Sequence, residues 1–202
     1  MLFGNSKGEF MKIGIIGDGN VGSAIRRGAE KAGHEVRATG RENVRETAEW
    51  GEVVVLAVPF GAVDDAVNTM GDAVNGKVLV DVTNALDENM GLVIGCTTSG
   101  AEELQKKMRE ARVVKAFNTV FAQNQDKGRI GDEVLTLFVA GDDESAVQTI
   151  LDLGTAIGFD AVKAGPLQNA RWLETLGFFN IQLGYVVGHG TNAGFRYVHP
   201  TE

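Results

Sequence analysis

The stretch that decides the fold is Lys12-Ile13-Gly14-Ile15-Ile16-Gly17-Asp18-Gly19-Asn20-Val21-Gly22. Its apolar first half predicts a short strand, and the helix that follows is predicted to end near Ala32, before Gly33. Between the two, the glycines are spaced as G-x-G-x-x-G. In this context Gly17 allows a tight turn off the strand, Gly19 leaves room for a ligand beside the backbone, and Gly22 lets the helix pack closely against the sheet.

This order of strand, turn and helix predicts a dinucleotide-binding site. The helix N-terminus offers free N–H groups and a partial positive charge, both of which suit a pyrophosphate. We therefore predict that the cofactor is bound by the six residues of the turn: Gly17, Asp18, Gly19, Asn20, Val21 and Gly22. The alternative is that the glycines serve only a tight turn.

The end of the second predicted strand, 35–38, indicates which nucleotide binds. NAD sites usually carry Asp or Glu ~20 residues past the glycines, where the carboxylate holds the ribose 2′-hydroxyl. This chain instead reads Thr39-Gly40-Arg41, and the guanidinium of Arg41 suits a 2′-phosphate. Arg45, one helical turn later, either adds charge to the site or lies on a solvated helix face. The sequence therefore favours NADP over NAD.

Strand and helix patterns alternate along the rest of the chain. We predict strands at 52–58, 77–82, 112–116, 134–140 and 161–164, and helices at 43–50, 61–70, 99–110, 144–157 and 167–187. The alternation is typical of an α/β fold with a doubly wound, mostly parallel sheet (a Rossmann fold), here with a C-terminal helical extension.

We expect three segments along the chain. Residues 1–10 resemble a leader or tag-like extension, and residues 11–164 form an NADP-binding Rossmann domain. Residues 165–202 form a C-terminal helix and tail that complete the substrate site and a dimer interface.

Composition narrows the functional class. The formal net charge of −8 argues against a nucleic-acid-binding surface. The single cysteine, Cys96, excludes an internal disulfide and a cysteine-cluster metal site, and we expect it to be a small buried apolar residue. No stretch approaches the ~18 apolar residues of a membrane span. We therefore expect a cytoplasmic protein without a nucleic-acid or membrane partner and without a metal.

Ligands of doubly wound sheets bind beyond the carboxyl ends of the strands. Besides the glycine turn, the segments predicted to lie there are 58–60, 81–84 and 116–121. We assign four of their residues to the cofactor: Val58, Pro59, Asn84 and Ala116. Two alternatives stay open, since Phe60 and Phe117 are either ring platforms or core, and Asn84 and Asn118 either contact ligands or bond to their own backbone in turns.

The predicted site contains no evident acid–base catalyst. None of these segments carries a histidine, and neither a Ser-His-Asp set nor a metal-ligand spacing can be assembled from them. Lys115 is the one titratable base nearby, and it is either a proton donor or, as most lysines are, a solvated residue. Such a site suits hydride transfer between two cofactors that the protein only stacks and orients.

Taken together, the motifs resemble the coenzyme F420-dependent NADP oxidoreductase family. The resemblance extends from Met11 to about Tyr197. It rests on the segments 15–22, 33–36, 57–59, 115–119 and 140–143, and on Ala164-Gly165-Pro166-Leu167 followed by Asn169-Ala170-Arg171 and Leu173-Glu174. The last block is the most specific, because ordinary Rossmann enzymes lack it.

The resemblance implies NADP on the glycine turn, a deazaflavin stacked against the nicotinamide, and a homodimer built partly by the C-terminal helix. The residues expected to contact the second substrate are Asn118, Thr119, Val120, Pro166 and Leu167. Family members that use the deazaflavin have histidine at the position of Asn118 and a proline-rich segment at 81–86. This chain departs from both features, so the candidates for the second substrate are F420, FMN, FAD and a small electrophile.

Three functions remain open from the sequence. The first is hydride transfer between NADP(H) and F420 or a flavin. The second is NADPH-dependent reduction of a small imine or carbonyl, which needs a proton donor such as Lys115. The third is an NADP-binding sensor without turnover.

Overall fold

The computed structural model describes residues 10–95 and 97–198. The expectation for Cys96 and nearly all of the leader segment therefore lie outside the described residues. The strands are β1 (Lys12–Ile16), β2 (Glu35–Thr39), β3 (Val53–Leu56), β4 (Val78–Asp81), β5 (Arg112–Lys115), β6 (Arg129–Ile130), β7 (Glu133–Val134), β8 (Thr136–Gly141) and β9 (Asp160–Lys163). The α-helices are α1 (Asn20–Lys31), α2 (Val44–Trp50), α3 (Val63–Met70), α4 (Gly100–Lys107), α5 (Glu144–Ile157) and α6 (Ala170–Ile181).

Seven of the strands form one sheet in the order β2-β1-β3-β4-β5-β8-β9. The first five are parallel, so their carboxyl ends lie at the same edge. The chain reverses its winding direction between β1 and β3, which is where ligands of doubly wound sheets bind. The predicted fold class is confirmed.

The sheet is covered on both faces, which explains why its central strands are apolar at consecutive positions. Alternate residues of β1 and β3, such as Ile13, Ile15 and Val55, pack with α1 and α5. The intervening residues, such as Ile16 and Leu56, pack with α2, α3, α4 and the start of α6. The carboxyl ends of the strands therefore lie at the edge of the sheet, between the two layers of helices.

The sheet departs from the parallel arrangement at β8. This strand runs antiparallel to β5, with Lys115 opposite Ala140, and β9 runs parallel to β8. The strand predicted at 134–140 is in fact divided, since its first residue, Val134, pairs with β6 in a small hairpin and β8 begins at Thr136. Because β8 and β9 run in the reverse direction, the chain leaves β9 towards the amino-terminal edge of the parallel strands.

Helix α6 then returns the chain to the carboxyl edge and ends in a π-helical turn at Gln182–Val186. The helix begins three residues later than predicted, after a 3-10 turn at Leu167–Asn169. Within the described part of the chain, no helix is both long enough and apolar enough to cross a membrane.

Candidate functional site

The three glycines of the turn each occupy a different environment. Gly17 has φ of +114°, and a Cβ there would lie 2.2 Å from the carbonyl oxygen of Ala57. A Cβ at Gly22 would lie 1.9 Å from the carbonyl oxygen of Gly17, so α1 packs against the turn at a distance that only glycine permits. At Gly19 a Cβ would meet nothing within 4 Å. The first and third glycines are therefore required by the fold, whereas the second borders open space.

The N-terminus of α1 is uncapped. Gly19 is the N-cap residue, no described side chain accepts a hydrogen bond from the first turn, and that turn contains no acidic residue. The hydroxyl of Ser23 donates to the carbonyl of Asp18 at 2.8 Å instead of capping the helix. The amides of Asn20, Val21 and Gly22 are thus free to donate to an anion, and the helix dipole favours one there.

The end of β2 lies beside the glycine turn. The amide of Gly17 donates to the carbonyl of Thr39 at 2.7 Å, which ties the turn to this strand. The hydroxyl of Thr39 donates to the carbonyl of Glu42 and shapes the loop. Arg41 is exposed and forms no hydrogen bond or ion pair with any described residue, so its guanidinium is available to a ligand.

Arg45 does not share that availability. Its guanidinium pairs with Glu49 at 2.8 Å and with Asp72 at 2.6 Å, and these contacts raise the pKa of Arg45, with the hydrogen bond to Asp72 as the main cause. Of the two open interpretations of this arginine, the structure therefore favours an exposed helix residue in ion pairs.

Asn84 and Asn118 hold the carboxyl ends of β4 and β5 together. The side-chain amide of Asn118 donates to the side-chain oxygen of Asn84 at 3.0 Å, and the side-chain amide of Asn84 donates to the backbone carbonyl of Asn118 at 3.1 Å. Neither side chain bonds to its own backbone, which settles that alternative. The Oδ1 of Asn118 is buried and has no hydrogen-bond partner among the described residues.

The backbone before Asn118 makes an unusual turn. Phe117 has φ of +64°, and the amide of Asn118 donates to the carbonyl of Ala116 at 2.8 Å, which closes a three-residue γ-turn. A bulky side chain seldom occupies this conformation, and it persists only where surrounding contacts enforce it. Gln125 supplies such a contact by donating to the carbonyl of Phe117 at 3.1 Å.

Helix α6 packs directly on these loops. The side-chain amide of Asn118 also donates to the carbonyl of Leu173 at 2.8 Å, and the side-chain amide of Asn180 donates to the carbonyl of Thr119 at 3.0 Å. Between these two contacts, a Cβ at Gly177 would lie 2.6 Å from the side-chain oxygen of Asn84. The helix is therefore held against the carboxyl ends of β4 and β5 by hydrogen bonds and a close backbone approach.

A cavity of about 570 Å³ lies between α1, these loops and α6. Its lining is mainly neutral and includes five residues of the predicted site: Asn20, Val21, Asn84, Asn118 and Val120. Gly177, Asn180 and Tyr185 line the side formed by α6 and the π-helical turn. Among the described residues that line it only Arg27 is charged, and it pairs with Asp126 at 3.3 Å. The cavity suits a flat, neutral ring system adjacent to the N-terminus of α1.

A second cavity of about 810 Å³ lies on the other side of the loop that follows β3. Arg41, Pro59 and Phe60 line it, together with residues of the segment 86–94. Phe60 also packs against the second core layer, whereas Phe117 is buried and contacts Phe159 edge to face at 6.0 Å. Phe117 is therefore a core residue, and Phe60 is both core and cavity wall.

Lys115 is a buried residue, and the interpretation of it as a solvated lysine is wrong. Its side chain is 0% exposed, and its ammonium lies 3.0 Å from Asp81 and 2.9 Å from Glu174. Burial by itself lowers the pKa of Lys115, but the attraction of Asp81 and Glu174 more than offsets that effect and raises the pKa above its ordinary value. Lys115 lines neither of the two cavities, so it is not placed to donate a proton to a substrate.

The buried cluster of Asp81, Lys115 and Glu174 also orders the backbone around it. Lys115 donates to the carbonyl of Thr83 at 2.6 Å, and Asp81 accepts from the amide of Thr83 at 2.8 Å. Glu174 accepts from the first amides of α4, those of Gly100 at 2.9 Å and Ala101 at 3.2 Å. The cluster therefore links the turn before Asn84, the start of α4 and helix α6.

The structure does not bring every predicted residue to the cavities. Pro166 is exposed, and Leu167 is buried in the second core layer with its amide donating to Asp142 at 2.9 Å. The reversed direction of β8 and β9 places both residues away from the carboxyl edge, which corrects their expected position. Ala116 and Thr119 are buried beneath the site, and Val58 is half-buried on the loop after β3.

Sequence reasoning missed individual residues of α6 at the cavity. Asn180 is only 4% exposed, and Gly177 stands where a side chain would clash with Asn84. A buried asparagine and a glycine three residues apart in an apolar helix were the available signals for this contact. The described residues contain no cluster of three His, Cys, Asp or Glu side chains able to hold a metal ion.

Comparisons with known proteins agree with this geometry. The family model described as NADP oxidoreductase coenzyme F420-dependent matches residues 12–50 and 41–85, the part of the chain that contains the glycine turn and the end of β2. The resemblance that the sequence motifs indicate is therefore confirmed.

Two curated relatives and one solved structure extend the similarity over the rest of the chain. The F420-dependent NADP reductase of Methanocaldococcus jannaschii is 29% identical, over 73% of this chain and 68% of the relative. The F420-dependent NADP reductase of Methanothermobacter thermautotrophicus is also 29% identical, over 95% of this chain and 97% of the relative. The crystal structure of a protein assigned as an F420-dependent NADP reductase from Arthrobacter sp. FB24 superposes with a TM-score of 0.86 at 27% identity and covers 94% of this chain and 100% of that one.

Proposed function

Because this chain resembles the F420-dependent NADP oxidoreductases in sequence and in fold, we propose that it is an oxidoreductase that transfers a hydride between NADP(H) and coenzyme F420. The observation that carries the proposal is the uncapped N-terminus of α1, which opens through Asn20 and Val21 into the neutral 570 Å³ cavity. A dinucleotide bound on the amides of α1 has its phosphates at the helix and one ring at this cavity.

The residues present fit NADP. The open space at Gly19 admits a pyrophosphate against the backbone. The guanidinium of Arg41, which pairs with no described residue, lies just after the end of β2, where a 2′-phosphate is recognised. On the other side, the unpartnered Oδ1 of Asn118 offers an acceptor next to the cavity. We therefore keep the glycine turn, Thr39, Gly40, Arg41, Val58, Pro59 and Asn84 as the proposed cofactor-binding set, with Ala116 buried beneath it.

The protein's contribution to the reaction is binding and orientation. NADPH supplies the hydride, and the second ring accepts it. The neutral lining of the cavity excludes a competing acid or base, and the contacts of α6 with Asn118 and Thr119 fix one wall. Holding two rings in reactive geometry accounts for a large part of such a rate acceleration.

The C-terminal segment completes this cavity in our proposal. Residues 11–164 constitute the nucleotide-binding domain, and α6 with the following turn supplies Gly177, Asn180 and Tyr185 to the second substrate. FMN and FAD remain candidate acceptors beside F420, since Arg27, the one charged side chain among the described residues that line the cavity, is paired with Asp126 and the rest are neutral. The burial of Lys115 removes the feature that favoured reduction of a small imine or carbonyl.

We further propose that the protein is a homodimer that associates through α6. Trp172 and Phe179, seven residues apart and so on one helix face, each expose more than half of their surface. Tyr185, Val186 and Val187 extend this apolar surface. A patch of this kind on a helix marks an interaction site. Light scattering on the wild type and on Phe179→Glu tests it, since a monomeric wild type contradicts the proposal.

The proposed function is tested by following the absorbance of NADPH and F420 in a stoichiometric mixture with saturating enzyme. We expect one F420 reduced per NADPH oxidised. A thermal-shift series with NADPH, NADH, F420, FMN and FAD identifies the ligands that stabilise the fold by binding. Stabilisation by NADPH without its oxidation by F420, FMN or FAD would leave a binding protein and contradict the proposal.

A further inference from the structure

An acidic side chain from another part of the chain lies beside the end of β2. No Asp or Glu stands within β2's final residues, yet the carboxylate of Asp18, from the glycine turn, lies next to Gly40. A Cβ built on Gly40 would be 3.3 Å from both carboxylate oxygens of Asp18. The hydrogen bond from Gly17 to Thr39 at 2.7 Å holds the turn in this position. A carboxylate therefore occupies the place from which NAD-binding proteins reach the ribose 2′-hydroxyl.

This carboxylate is not neutralised by any residue that the structure describes. The side chain of Asp18 is exposed and makes no hydrogen bond or ion pair with any described residue; only its backbone carbonyl is engaged, by Ser23. Arg41 stands one residue after Gly40 and is likewise unpaired within the described chain. The two opposite charges thus stand at neighbouring positions, Asp18 against Gly40 and Arg41 one residue later in the chain, without forming an ion pair with each other.

Their effects on the two nucleotides are opposite. A 2′-phosphate is attracted by the guanidinium of Arg41 and repelled by the carboxylate of Asp18. A 2′-hydroxyl gains a charged acceptor in Asp18 and has no phosphate for Arg41 to recognise. The presence of both groups lowers the discrimination that Arg41 alone would give.

We propose that Asp18 is a specificity-determining residue that admits NAD(H) to this site by accepting from the ribose 2′-hydroxyl, and that it weakens the preference for NADP(H). The inference rests on the proposed function, because it assumes that the dinucleotide binds on the glycine turn. It adds that the glycine turn, as well as the end of β2, determines the choice between NAD(H) and NADP(H).

The test is the variant Asp18→Asn, which removes the charge and keeps the shape of the side chain. Dissociation constants and kcat/KM are measured for NADPH and NADH with the same acceptor. We expect tighter NADPH binding and NADH binding weakened by about tenfold, the low end for loss of a hydrogen bond to a charged group. Glu30→Gln is the matched control, since it removes one exposed carboxylate at the far end of α1 and should leave the NADPH-to-NADH ratio unchanged.

The possible outcomes distinguish a failure of the role of Asp18 from a failure of the proposed function. A ratio that rises in Asp18→Asn and not in Glu30→Gln supports the role of Asp18. If the wild type binds NADPH but Asp18→Asn changes both nucleotides by the same factor, or neither, the inference is overturned and the proposed function stands. If the wild type binds neither nucleotide, both fail together.

Discussion

Replacing Lys115 with methionine should strongly destabilise the fold, because it leaves two carboxylates buried without their cation. Methionine keeps an unbranched stem of similar length, so little cavity is added, and the main change is electrostatic. The ammonium lies 3.0 Å from Asp81 and 2.9 Å from Glu174, and all three side chains are at most 2% exposed. The effect therefore depends on buried charges and not on surface pairing.

The magnitude follows from these distances. At an effective dielectric constant of ~20, each contact contributes on the order of 5 kcal/mol of attraction, much of which is offset by desolvation of the three groups. Removing one partner of a buried ion pair destabilises proteins by about 3–5 kcal/mol. The carbonyl of Thr83 also loses its donor at 2.6 Å. We expect a decrease of about 3–5 kcal/mol, or roughly 6–20 °C in Tm for a chain of this length.

Urea denaturation of the wild type, Lys115→Met and Lys163→Met measures this effect. Lys163 stands at the end of β9 and pairs with Glu144, but that pair is largely exposed and should contribute little. Glu174→Gln is the milder variant and, combined with Lys115→Met, completes a double-mutant cycle in which the two changes should be strongly non-additive. A loss in Lys115→Met no larger than that in Lys163→Met would refute the reasoning.

The same variants decide the chemical role of the lysine. Folded Lys115→Met should still oxidise NADPH, because the side chain lines neither cavity. Complete loss of turnover in folded Lys115→Met that still binds NADPH, where Glu174→Gln only slows turnover, would instead restore Lys115 as a proton donor and favour reduction of an imine or carbonyl.

Three further predictions concern the nucleotide site and the opposite end of the fold. Gly19→Ala should abolish NADPH binding without loss of stability, whereas Gly22→Ala should lower the unfolding free energy by about 1–3 kcal/mol, since its Cβ would meet a backbone oxygen at 1.9 Å. Calorimetry measures the NADPH binding and urea denaturation the stability, and equal stabilities of the two variants would contradict the different roles assigned to the two glycines. Arg41→Ala should weaken the binding of NADPH by ~1.5–3 kcal/mol and change the binding of NADH little. The control is Arg45→Ala, since Arg45 is held in ion pairs. Equal losses of affinity for both nucleotides would remove the case for 2′-phosphate recognition. Burial lowers the pKa of His34, whose ring nitrogens have no partner among the described residues, so the folded state binds a proton on His34 less well than the unfolded state. The stabilisation should therefore be fully present above the ordinary pKa of about 6.5 and be lost as the pH falls below it. The urea midpoint of His34→Leu should decline less over this pH range than that of the wild type, and an identical decline would be the contrary result.

The glycine turn could be predicted from the sequence because its requirements are local. Gly17 and Gly22 are each demanded by a close backbone contact, with Ala57 after β3 and with Gly17 itself, whereas Gly19 borders open space, and the motif encodes all three positions. The ends of β3, β4 and β5 were likewise predictable, because buried parallel strands appear as continuous apolar runs bounded by Pro59 or polar residues. These segments meet at one edge for topological reasons alone.

The remaining features depend on contacts between distant parts of the chain. The reversal at β8 is set by pairing with β5, and no local pattern distinguishes it from a parallel strand. The positions of Pro166 and Leu167 follow from that reversal and were therefore misplaced. Lys115 was misjudged because a lysine is buried only when partners elsewhere supply charges, and Glu174 reaches it from α6.

The positions of Asn84 and Asn118 at the cavity are thus controlled by Glu174 and Lys115, which do not line it. Glu174 cannot move without releasing Lys115 and the first amides of α4, and Lys115 cannot move without releasing the turn that carries Asn84. Asn84 in turn shares a hydrogen bond with Asn118, which is also bonded to α6. Hydride transfer is sensitive to ring separation, so a displacement of about 1 Å in this chain of contacts should reduce turnover more than it reduces NADPH binding. Glu174→Gln provides that comparison, since it perturbs the buried cluster and leaves the glycine turn and Arg41 unchanged.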